Sequence, residues 1–563
     1  MTSRADDPLD NRVALETPEH VELRVSLAGP AARGLAWGID AAIRVVVLGV
    51  LGSFVLGIGG EGIGTGAWLI LLFVMDWAWY VFWEWLDDGR SPGKRVMHLR
   101  VMRLDGTPVG PREVMLRNLV RVADALPGLY FVGAASAFAD ARFRRLGDIV
   151  AGTIVVREER VEEPPAPVAI EPALSEREVP VLPRHRRITA GDRRALEEWA
   201  SASTRFGLVW SEWVAGRVVD AFAARYRVSA GRPVRVLQRL LGAARAVQPE
   251  LERAAGAGRD ETAALRRLLD AHTWRGVDAA RSSEIVWHLR AVVAELGRLR
   301  DVSPSRARAA EEVIWEAELL IHRSRPASVH LSVEPVRRFL FEEFPAALHR
   351  NLGWFGIASA LFWVPFVLCA LGAAFDPDVA ARLLPPGVRG DLEDWYLHPD
   401  SRSADQNATM AGFYVLNNVG IALRAAGAGV LGGLGTAWVL VSNGIAIGST
   451  TGYLASVGAL GNLLRFTSGH TAWELTAILI AGASGLRLGA ALVAPGDRTR
   501  AASLRLAGPD VLRLAGGAAT MLLVAAMIEG FWSGWMLPDV VKAVFGLVQV
   551  GLVVLWLSGV RRR

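Results

Sequence analysis

Residues 470–489 read HTAWELTAILIAGASGLRLG. The run is apolar enough to sit in a bilayer, yet it carries His470, Glu474 and Arg487. His470 and Glu474 are four apart and share one face of a helix. Arg487 lies about 20 Å further along such a helix, too far to pair with Glu474 directly. A zinc protease helix needs H-E-x-x-H. Here the order is H-x-x-x-E with no second histidine nearby, and a metal needs three or four ligands. The expectation is therefore no metal, no cofactor and no catalytic residue. An intramembrane metallohydrolase and a proton or ion relay remain as alternatives to a structural polar network.

The rest of the chain agrees with a membrane reading. It is 52% hydrophobic, and its twenty Trp against six Tyr suit interfacial aromatic belts. The mean hydropathy is +0.29. The formal charge of +5 fits the basic cytoplasmic loops of a membrane protein better than a nucleic-acid partner. The single cysteine, Cys369, excludes a disulfide framework within one chain. The polar start, MTSRADDPLDNR, has no signal-peptide core, so insertion through the protein's own helices is expected.

A spanning helix needs about 20 mostly apolar residues. Spans are expected at Leu35–Ile58 and Ala67–Leu86, and then at 353–375, 411–441, 445–465, 471–494, 511–533 and 538–559. The shorter run Ala125–Ala139 has arginines on both sides and reads as re-entrant, interfacial or a short span. The domain plan is a polar tail (1–24), a membrane domain (25–156), a Pro/Glu-rich linker (157–188), a cytoplasmic helical module (189–350) and a bundle of five or six spans (351–563). The fold class is an all-α polytopic membrane protein. In the helical module, RPVRVLQRL and PSRARAAEE present basic faces, which read as solvated helix surface. The flank RRFLFEEFPAALHR, the loop DRTRAASLR and the terminal RRR belong inside, and the acidic Asp376–Met410 outside. Both termini are then cytoplasmic, provided 445–465 crosses.

Arg33, Asp40 and Arg44 line one face of the first span. An aspartate at mid-membrane costs roughly 2.5–3.5 kcal/mol and needs a partner, for which Arg33 and Arg44 are candidates. Asp76 and Glu84 are further acids in the second span. WLDDGRSPGKRVMHLRVMRLDGTPVG follows; SPGKR is too short for a phosphate loop, and the DG turn suggests a β-hairpin. RNLVRVADALPG and RRLGDIVAGTIVV come later. With these residues, 25–156 resembles an RDD family domain, named for an arginine and two aspartates. Arg33 and Asp40 match the first two; the second aspartate is Asp124 or Asp148. The resemblance implies a membrane-embedded domain for which transport has been proposed.

In the C-terminal half, Gly427, Gly429, Gly432, Gly433 and Gly435 suggest close helix packing. Asn417, Asn418 and Asn443 can hydrogen-bond between helices. Arg424 needs a carboxylate, with Glu474 and Glu529 available. FPAALHRN, VLNNVGIALRAAGAGVLGGLGTAWVLVSNGIAIG, SGHTAWELTAILIAGASGLRLG and AAMIEGFWS together resemble the stage II sporulation protein M family, most clearly from 335 and more weakly from about 190. Ser468-Gly469-His470 stands where that family usually has Pro-His-Gly. The resemblance implies a non-enzymatic membrane scaffold or assembly factor of the cell envelope in the bacterial inner membrane. Its implied partners are the lipid bilayer and envelope proteins or MoxR-type ATPases, with self-association left open. The alternative is a transporter or ion-translocating protein.

Overall fold

The computed structural model describes residues 12–16, 22–128, 130–158, 188–227, 232–243, 261–270, 279–302, 304–321, 334–397 and 403–559. Most of the tail and linker, His322, His398, Asp400, Arg402 and the terminal Arg561–Arg563 lie outside the described residues. The protein is an all-α polytopic membrane protein with a few short strands. It divides into two compact units. One comprises Met1–Val13, Arg24–Glu158 and His330–Arg563, the other Ala14–Leu23 and Glu159–Val329.

In the first unit, five helical stretches are long and apolar enough to cross a membrane: Pro30–Leu86, Leu352–Phe375, Thr471–Val493, Arg500–Ser533 and Asp539–Ser558. The first is two helices, Pro30–Gly59 and Thr65–Leu86, joined by a π turn at Gly60–Gly64. Gly52 packs under the ring of Trp68, so the pair is an antiparallel hairpin. Val45, Val46, Val50, Phe54, Leu547 and Leu555 all point outward. In water this would be a large apolar patch; in a bilayer it is the lipid-facing surface.

Two expected spans are redrawn. The 411–441 run is not one helix. Ala404–Tyr414, a π turn at Val415–Val419 and Gly420–Gly427 form one leg, and Leu434–Ser456 forms the next. Between them Gly432 and Gly433 have φ of +67° and +86°, which only glycine adopts cheaply. Hydropathy averaged across that turn hides it. Residues 445–465 are accordingly the second half of Leu434–Ser456 followed by the separate helix Leu460–Thr467. The segment 125–139 contains one nine-residue helix, Phe131–Ala139. At about 14 Å it cannot cross a hydrocarbon core of about 30 Å.

The expected hairpin also resolves differently. Leu99–Arg103 meets its own downstream chain only at the bridge Met102↔Pro108, because proline has no N–H to extend a ladder. It pairs instead, antiparallel, with Thr153–Arg157, from Leu99↔Arg157 to Arg103↔Thr153. Glu22–Leu27 flanks the other side of Thr153–Arg157, with Ser26 opposite Arg157, and Arg12–Glu16 is the edge strand.

The N-terminal and C-terminal membrane segments share one core. Leu116, Leu119, Val120 and Val150 pack with Leu488, Leu504, Val511 and Ala515. Backbones touch at Gly66 with Ala408 and at Gly427 with Leu119. Within the bundle, Gly444, Gly448 and Gly452 recur every four residues. They lie directly against the carbonyls of Phe362, Phe366 and Ala370 on Leu352–Phe375. This small-xxx-small stripe lets two helices approach to backbone contact.

The second unit is helical, with Ala190–Tyr226, 233–243, Glu261–Asp270, Ala279–Val302 and Pro304–Ile321. Tyr226 Oη donates to Asp192 at 2.5 Å. A straight helix would hold these residues about 50 Å apart, so the Ala190–Tyr226 stretch bends back on itself. Leu265, Leu289, Leu296, Val313 and Ile314 form one of its cores.

Candidate functional site

Two polar clusters are buried in the first unit, and each gathers residues from distant parts of the chain. The N-terminal cluster centres on Arg117, only 1% exposed. Its Nη1 donates to Glu84 at 3.0 Å. Its Nη2 lies 2.9 Å from Asp148 Oδ1. Arg33 donates to the other Asp148 oxygen at 2.5 Å, and Lys94 pairs with Glu84. Arg145 Nε is 3.5 Å from Asp124 and 3.7 Å from Asp148. Four cations thus interlock with three carboxylates, and all three carboxylates are fully buried.

Local structure fixes this arrangement. Asp148 sits at the start of Leu146–Ala151 and accepts the Arg145 N–H at 3.2 Å. Asp124 accepts the Leu146 N–H at 3.2 Å. Both candidates for the second RDD aspartate therefore belong to one network. Burial opposes ionisation of Asp148, but Arg33, Arg117 and Arg145 outweigh it and hold the carboxyl well below the usual range. For Asp124 burial dominates and pushes the pKa up to about 6. Burial likewise pushes Lys94 down to about 8, against the pull of Glu84.

Asp40 makes no ion pair with an arginine among the described residues. It is 1% exposed and accepts from Ser91 Oγ at 2.5 Å and the Gly93 N–H at 2.8 Å. Gly93 also lies against the Ala36 carbonyl, leaving no room for a side chain. SPGKR is thus a short helix, Pro92–Val96, whose start binds the protein's own carboxylate. Arg44 instead stacks 5.6 Å from the Tyr80 ring, beside Arg121 at 4.8 Å and Lys94 at 5.8 Å. Asp76 is largely exposed.

The C-terminal cluster is built on His470, which immediately precedes Thr471–Val493 and is 2% exposed. Its Nδ1 lies 2.9 Å from Ser533 Oγ. Its Nε2 lies 3.6 Å from Glu474 Oε2 and 3.9 Å from Glu529 Oε1. Asn418 Nδ2 donates to the other Glu474 oxygen at 3.0 Å, and Asn417 donates to Asn418 at 2.8 Å. Two π turns deliver these groups: Val415–Val419 carries both asparagines, and Glu529–Ser533 carries Glu529 and Ser533. Such insertions into helices are frequent at functional sites.

Arg424 does not meet these acids. It is exposed and folds over Gly420 of its own helix, with no ion pair among the described residues. Arg487 is half-buried further along Thr471–Val493. Asn443 donates to the Val439 carbonyl of its own helix at 2.8 Å, so it does not bridge helices. Several participants carried no sequence signal of their own: Lys94, Arg117, Arg145 and Ser533. Buried arginines inside basic flanks look like topology signals, and Ser533 reaches His470 from the last residue of a π turn. Lys542 donates to the Ser533 carbonyl at 2.7 Å, and Trp473 to Gln549 at 2.8 Å.

Comparison with protein families finds two matches. Residues 27–152 match the RDD family, and residues 358–534 match the Stage II sporulation protein M family. No curated protein and no solved structure matches the chain.

Proposed function

We propose that this protein is an integral membrane scaffold or assembly factor of the bacterial inner membrane, with no catalytic activity of its own. Its RDD segment and sporulation-protein-M-like bundle act as one membrane body that anchors a cytoplasmic helical module. The observation that carries the reading is the shared core joining Leu116, Leu119 and Val150 to Leu488, Leu504 and Val511. Two segments that merely shared a chain would have no reason to bury a common core. The interlocked Arg33, Glu84, Arg117 and Asp148 support it, since a buried network of this kind favours one arrangement of helices. The positive-inside rule supports a cytoplasmic location for both termini and the module, with the legs Ala404–Gly427 and Leu434–Ser456 both crossing. The family resemblance points to envelope proteins or MoxR-type ATPases as partners. The test is affinity purification of the full chain and of a chain lacking 189–327, with partners identified by mass spectrometry. Loss of partners on deletion is expected; an unchanged partner set sinks the reading.

A second reading, cation translocation, is favoured by the convergence of His470, Glu474 and Glu529. It requires Glu474→Gln or Asp40→Asn to abolish ion flux in proteoliposomes while the protein still folds. A wild-type protein with no flux under any imposed gradient removes it.

A further inference from the structure

We infer that His470, Glu474 and Glu529 form a binding site for one divalent first-row transition-metal ion of the zinc type. One nitrogen and two carboxylate oxygens lie within 4.8 Å of one another. They come from two helices, Thr471–Val493 with its preceding His470 and the π turn that ends Arg500–Ser533. A tetrahedral ion with bonds of about 2.1 Å sets its ligands about 3.4 Å apart. The His470–Glu474 separation of 3.6 Å is close to that already, and the His470–Glu529 separation of 3.9 Å needs a small side-chain rotation. Three protein ligands leave a fourth position for water or another small ligand.

The outer groups suit a metal as well. Ser533 holds Nδ1 of the imidazole, which aims Nε2 at the two carboxylates. Asn418 holds one oxygen of Glu474 and leaves the other facing His470. Groups of this kind orient metal ligands, and their loss costs about 10–100-fold in affinity. Charge points the same way. With both carboxylates ionised and the ring neutral, the three groups carry a charge of minus two, which a divalent ion would bring to zero. Mixed nitrogen and oxygen donors fit zinc or its neighbours better than magnesium or calcium, which prefer all-oxygen sites. A cavity of about 80 Å³ adjoins the site through Ser533 and Phe466, although none of the three ligands lines it. Phe466 packs edge-on against His470 at 5.5 Å.

The test uses the full chain in lipid nanodiscs, stripped with chelator, equilibrated with zinc chloride and desalted. Elemental analysis of the wild type is expected to give about one zinc per chain. His470→Ala and Glu529→Gln are expected to fall to background while eluting as monodisperse protein, and Asn418→Ala to weaken binding about 10-fold or more. No zinc retained by the wild type, or equal zinc in the two ligand variants, overturns the site. Should the variants fail to fold, the wild type alone decides through cobalt. A visible absorption of four-coordinate intensity, displaced by zinc, supports the site; its absence contradicts it and leaves a site that takes only protons.

Discussion

Arg117→Met is the sharpest perturbation of the N-terminal network. The arginine is 1% exposed and makes two charge-assisted contacts, at 3.0 Å to Glu84 and 2.9 Å to Asp148. At an effective dielectric of about 20, each pair has a gross attraction of roughly 5 kcal/mol. Desolvation offsets much of that, but removing one partner strands the carboxylates it faced. Such deletions cost about 3–5 kcal/mol. Lys94 and Asn118 still hold Glu84, and Arg33 still holds Asp148, which points to the lower end. Melting of the full chain in detergent, followed by loss of monodisperse elution, should then fall by about 4 °C, given the large unfolding entropy of a unit this size. Adding Glu84→Gln should be strongly non-additive, since the two residues share a contact. Arg337→Met, which removes an exposed pair with Glu334, should leave melting unchanged. If Arg117→Met melts within about 1 °C of wild type, the network is not holding the fold.

Further outcomes follow from the same structure. Asp124 has its pKa raised to about 6 from an ordinary 3.8, so the fold prefers it protonated. Its charge therefore weakens the fold as pH rises from about 4 to 6. Asp124→Asn should gain melting temperature relative to wild type across that window, and a constant difference would contradict the assignment. Asp148, held low, acts in the opposite sense: its contribution is present above about pH 4 and is lost on acidification below it. Gly448→Ala places a methyl group on the Phe366 carbonyl and should destabilise by about 1–3 kcal/mol. Gly461→Ala, with open space around it, should be neutral or slightly stabilising in the same melting assay.

How far the sequence was readable depended on which force fixed each feature. Long apolar helices such as Leu352–Phe375 and Asp539–Ser558 are set by local composition, and the hydropathy pattern located them to within a residue or two. The leg that ends before Leu434 was misjudged because two glycines with positive φ reverse the chain inside a uniformly apolar run. Pairing between elements was less legible. Asp40 looked destined for an arginine, yet a serine hydroxyl and a backbone N–H satisfy it, and a backbone donor leaves no trace in a sequence. Glu474 and Glu529 were both available to Arg424, but Glu474 meets His470 and Asn418, and Glu529 faces His470. The spacing of His470 and Glu474 put them on one face; Glu529 joined them only through tertiary folding. The stripe of Gly444, Gly448 and Gly452 has a four-residue period in the sequence, but the denser glycines upstream mask it.

The central claim, that two family segments form one membrane body, is tested most directly by cutting the chain between them. A protease site placed in the Pro/Glu-rich linker of a chain tagged at its N-terminus allows cleavage after extraction in mild detergent. The C-terminal fragment is expected to stay with the tagged RDD fragment through affinity purification and to elute with it as one species. Separation of the fragments under conditions where each remains monodisperse would contradict it.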